Sequence, residues 1–221
     1  MSLGLILLIA VGILVLAGVA QRVLDKLRLT DKQAMLFVAL IFLGGLIPDI
    51  PLGPMLSVNI GGALVPLGLC VYLWIKAGTA MERARSAIAA VLTAVAVYLI
   101  GHYFPNEPET MPMDPNYLYG IAGGVIAYLL GWSRRGAFIA GVVGVLLADA
   151  FQAAVNWAGG IEQPLNLGGA GAIDAVVISG LIAVLLGELV GEIVERISRG
   201  THPDTRREFA GGEFIRRERR K

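Results

Sequence analysis

Asp149 and Asp174 are the residues best placed to do chemistry, because each carries a carboxylate where hydrocarbon is expected. Asp149 interrupts the apolar run Ala137 to Val155. Asp174 lies in Asn-Leu-Gly-Gly-Ala-Gly-Ala-Ile-Asp-Ala-Val-Val-Ile-Ser, residues 166–179, which leads from a polar loop into a second apolar run. An ionisable side chain inside a membrane segment costs about 2.5 to 3.5 kcal/mol on the insertion scale, so it usually faces the bundle interior and points to function. Two carboxylates meeting in a cavity could hold a cation. Desolvation and mutual repulsion would also let the pair exchange a proton near neutral pH. Asn59, Asn166 and Gln152 would add amides and Asp49 a third carboxylate, with backbone groups freed at broken helix starts completing an ion or solute site. The plainer alternative is that each aspartate caps a helix or meets water at the interface.

A second set of acids follows on the last apolar run. Asp174, Leu181, Leu185, Glu188, Glu192 and Glu195 recur at steps of 7, 4, 3, 4 and 3, which places them on one helical face. Glu188 and Glu192 could relay protons or cations along it, or else pair with Arg196 and Arg199. Other chemistry is not indicated. His102 and His202 have no second histidine or cysteine at ligand spacing, so no metal site is expected. Cys70, the only cysteine, lies in an apolar run as a packed thiol. No phosphate loop, nucleophile elbow, haem or zinc motif occurs, so neither a cofactor nor a nucleic-acid partner is expected.

The elements that must position these residues follow from composition. At 56% hydrophobic and 16% charged, the chain reads as an integral membrane protein. A span takes about 20 apolar helical residues. Seven are expected: Leu3 to Ala20, Ala34 to Ile47, Ile60 to Ile75, Ala84 to Ile100, Tyr117 to Trp132, Ala137 to Val155 and Ala170 to Val194. Pro48, Pro51 and Pro54 break the chain after the second. Gly61, Gly62, Pro66 and Gly68 predict an unwound or kinked start to the third. The loop His102 to Asn116, with four prolines, is expected to be extended. Gly120, Gly123, Gly124, Gly136, Gly141 and Gly144 are spaced for close helix packing.

Charge distribution then sets a topology. If every span crosses once, all 18 Lys and Arg residues fall on one side, which makes that side cytoplasmic and places the N-terminus outside and the C-terminus inside. The fold class expected is an all-α, polytopic membrane bundle, residues 1–195, with a basic cytoplasmic tail, 196–221. It also contains an echo: Asn59-Ile60-Gly61-Gly62-Ala63 stands 107 positions before Asn166-Leu167-Gly168-Gly169-Ala170, and an aspartate, Asp49 or Asp149, precedes each. This predicts a parallel internal repeat, 1–76 and 117–195, joined by a connector helix, 84–101.

Gly171-Ala172-Ile173-Asp174 resembles, over a small part of the chain, the Gly-x-Gly-Asp motif of the intramembrane aspartyl proteases, in which two aspartates share a proton to activate water. Ile173 replaces the second glycine, no Tyr-Asp pair accompanies Asp149, and the Pro-Ala-Leu element of that family is missing. The whole chain looks more like an uncharacterised prokaryotic multipass membrane family, a resemblance that implies no activity. The expected function is therefore a small ion or solute carrier or channel in a prokaryotic plasma membrane, rather than an enzyme. Its partners would be the lipid bilayer, the transported species and a second copy or another membrane protein. A non-catalytic membrane subunit or scaffold is the first alternative, the protease the second.

Overall fold

The computed structural model describes residues 29–103, 115–131, 133–197, 207–210 and 213–216. The expected first span Leu3 to Ala20, most of the His102 to Asn116 loop and much of the tail lie outside the described residues. Those up to Glu188 form one compact unit and those from Leu189 a second.

Six α-helices are described: α1 Asp31–Gly45, α2 Val65–Ile75, α3 Ala80–Tyr103, α4 Pro115–Gly131, α5 Arg134–Ala158 and α6 Ala175–Ile197. Local chemistry sets their starts. Thr30 and Gln33 form a reciprocal capping box on α1. Pro66 falls in the first turn of α2, where a missing N–H costs nothing. Ser133 caps α5 through the Gly136 amide. α3 and α5 are long and apolar enough to cross a membrane; the apolar parts of the other four are shorter.

The burial pattern of α3 is the reverse of a water-soluble helix. It buries Ser86, Ala89, Ala90, Thr93 and Val97 on one face and exposes Ile88, Val91, Leu92, Val95 and Leu99 on the other. Small residues inside let the backbones approach closely. α5 is the central element, packed against α2, α3 and α4, with Val142 and Val145 fully buried. Within the first unit the helices run alternately. One end of the bundle carries Arg134, Arg135, Lys76 and Glu82; the opposite end carries the strands.

The fold is mostly helical, as expected, and the loops between helices add a small sheet that an all-α reading does not include. β1 Ile50–Gly53 pairs antiparallel with β2 Leu56–Val58, and β2 pairs parallel with β3 Leu165–Leu167, Ser57 opposite Asn166. The proline-rich break after α1 is thus a hairpin, with Pro51 on the edge strand, where a missing donor is tolerated. Two more strands, β4 Arg207–Ala210 and β5 Glu213–Arg216, pair antiparallel in the second unit.

Candidate functional site

Both Asn-x-Gly-Gly-Ala motifs leave the sheet and meet just past the ends of β2 and β3. The first continues from β2 into a π-helical turn, Ile60–Leu64, and then α2. The second continues from β3 into a 3-10 turn, Gly171–Ile173, so α6 starts at Ala175 and not, as expected, near Ala170. Only glycines permit the contact between them. A Cβ at Gly62 would fall on the Gly168 carbonyl, and one at Gly61 on the backbone of Ile41 and Gly45. Gly168 and Gly171 adopt φ of +68° and +60°, the left-handed region that glycine enters freely.

Asn59 ties this junction together. Its side chain, 2% exposed, accepts from the Gly62 amide at 2.9 Å and donates to the Asp49 carboxylate at 2.9 Å and the Ile47 carbonyl at 3.2 Å. Asn166 takes a different role: on the exposed face of the sheet it accepts from the Ser57 hydroxyl at 2.8 Å. Gln152 faces the loop network, donating to Asn156 at 2.8 Å, and Asn156 in turn donates to Gln163 at 2.8 Å. Spacing alone could have linked Gln152 to Asn156, one helical turn apart; Ser57 and Gln163 carried no such signal.

The aspartates behave differently from one another. Asp174, 8% exposed, accepts from the amides of Val176 at 3.0 Å and Ala170 at 3.1 Å, and its carbonyl accepts from Ile178, so it is the N-cap of α6. Asp149, half-buried on α5, accepts no hydrogen bond among the described residues. It lies within electrostatic reach of Asp174, and Asp174 within reach of Asp49. Three carboxylates from three segments therefore share one end of the bundle. No group of three His, Cys, Asp or Glu side chains close enough to hold a metal occurs among the described residues. The Glu188 and Glu192 side chains lie outside the described residues.

Positive charge sits at the far end. Arg135 pairs with Glu82 at 3.1 Å and donates to the Lys76 carbonyl at 3.2 Å, while Arg134 donates to the Gly187 carbonyl at 3.3 Å.

Between the two ends, the glycines of α4 and α5 close the bundle. Gly120 and Gly124 abut Ile178 and Ile182 of α6, Gly123 and Gly141 abut Ser179, and Gly144 abuts Thr93. The Thr93 and Ser179 hydroxyls, both 0% exposed, have no hydrogen-bond partner among the described residues. A buried donor left unpaired costs about 1–3 kcal/mol. Sequence reading missed both.

A helical bundle with two membrane-length helices and a glycine-built junction is the class the structure defines. The chain belongs to the family described as a protein of unknown function (DUF1614), which matches residues 23–186 and so takes in the junction and all three aspartates. No curated protein and no solved structure matches it. These comparisons show no resemblance to the aspartyl proteases.

Proposed function

We propose that this chain is a multipass membrane protein that carries or conducts a cation, a proton included, or a small solute, through a site at the sheet end of the bundle. The observation that carries the reading is Asp149: a half-buried carboxyl with no hydrogen-bond partner among the described residues, on a helix long and apolar enough to cross a bilayer, within electrostatic reach of Asp174. A membrane setting is supported by α3, whose large apolar residues are exposed while its small and polar ones are buried. Positive residues gathered at the opposite end support an orientation with the sheet outside the cell. A duplication is supported by the two strand–break–helix segments, whose strands run parallel.

The site would work by electrostatics. Asp149 receives the cation or proton, Asp174 and Asp49 lower its energy at the mouth, and Asn59 holds Asp49 in place. The test is flux in proteoliposomes. Asp149→Asn removes the charge with little change of shape and abolishes proton- or cation-linked uptake on this reading; retained flux refutes it. A scaffold reading draws on Asp174 and Asn59, whose polar atoms are spent on other groups of this chain. On that reading Asp149→Asn still copurifies with its partner and no flux is found in the unaltered protein.

A further inference from the structure

The hydroxyls of Thr93 and Ser179 are the least explained groups in the bundle. A buried polar group normally finds a partner, and these two gave up hydration with none in return among the described residues. Their place is specific. Thr93 abuts Gly144, five positions along α5 from Asp149 toward the basic end, and Ser179 lies between Gly123 and Gly141, the latter eight positions from Asp149. At 1.5 Å and about 100° per residue these are axial distances of about 7.5 and 12 Å from Asp149, on faces of α5 turned about 140° and 80° from it, so a route between them winds around α5. The space around them is closed: a Cβ at Gly141 or Gly123 would come within 2.9 Å of the Ser179 Oγ, and one at Gly144 within 2.7 Å of Thr93.

We propose that Thr93 and Ser179 form the closed constriction of the pathway that opens at Asp149. Glycine contacts seal both hydroxyls in this state. In the conducting state α3, α4, α5 and α6 part enough for water and a hydrated cation or proton to reach them, and the hydroxyls then gain the partners they lack. The unpaired hydroxyls weaken the seal, which keeps the opened state within thermal reach. The inference rests on the carrier reading of the preceding section.

Cysteine accessibility tests it without relying on flux. In full-length protein in membrane vesicles, with Cys70→Ala as background, Ser179→Cys and Thr93→Cys are exposed to a small cationic methanethiosulfonate. Ile161→Cys serves as the exposed reference and Val142→Cys as a buried apolar control at similar depth. An opened state populated at roughly 0.1–10% gives modification at about that fraction of the exposed rate. Reaction of both variants no faster than Val142→Cys overturns the constriction, even where Asp149→Asn abolishes flux and the aspartate site stands. Modification well above that control supports a hydrated interior even where Asp149→Asn leaves flux intact and the aspartate site falls. Because sulfur is bulky between Gly123 and Gly141, Thr93→Cys decides the matter if Ser179→Cys does not fold.

Discussion

Asp174 spends its carboxylate on two backbone amides, and that local duty separates from any role of its charge. Asparagine caps a helix about as well as aspartate, whereas alanine forfeits roughly 0.5–2 kcal/mol. Thermal unfolding in detergent should therefore leave Asp174→Asn near the unaltered protein and lower Asp174→Ala clearly; equal losses would show that the charge, and not the cap, holds α6. Asn59 has no such spare substitute. Asn59→Leu strands the Gly62 amide and removes the donor to Asp49, at about 1–3 kcal/mol for each buried group left unpaired. A melting point unchanged by Asn59→Leu would mean that water replaces the amide and that the junction is open.

The junction of the two Gly-Gly segments depends on backbones in contact, so its glycines are not equivalent to others nearby. A methyl group at Gly62 meets the Gly168 carbonyl, a rigid atom that cannot move aside. Gly62→Ala is expected to push the π-helical turn off β3 and to destabilise strongly. Gly68, inside α2, has nothing within 4 Å of its missing Cβ. Gly68→Ala should stabilise by up to about 1 kcal/mol through helix propensity alone. The pair of measurements is decisive in sign: similar effects from both substitutions would contradict the close crossing.

The separation of charge between the two ends predicts how the molecule lies in a membrane. Cysteines introduced at Ile161, on the sheet end, and at Thr79, beside the basic end, are both exposed. In intact cells an impermeant thiol reagent should modify Ile161→Cys and spare Thr79→Cys until the membrane is opened. The reverse pattern would invert the orientation, and modification of both in intact cells would end the multipass reading.

The helices were legible in the sequence because apolar runs and prolines act locally. The runs Ala84 to Ile100 and Ala137 to Val155 each fall within a helix, the run from Tyr117 follows one as far as Gly131, and the clustering of Lys and Arg was visible without coordinates. The small sheet was not legible, because its strands are three or four residues long and β3 joins β2 only through pairing across more than a hundred positions of chain. The echo between Asn59 and Asn166 was plain in the sequence, yet the two amides do different work: Asn59 is sealed in the junction and Asn166 faces outward on a strand, a difference set by neighbours and not by residue type. Asp149 and Asp174 stood out because charge in an apolar run is costly wherever it folds. That one is a satisfied cap and the other has no partner among the described residues, and that Thr93 and Ser179 are stranded in the core, only the tertiary structure decided, since whether a polar atom finds a partner depends on which other segments reach it.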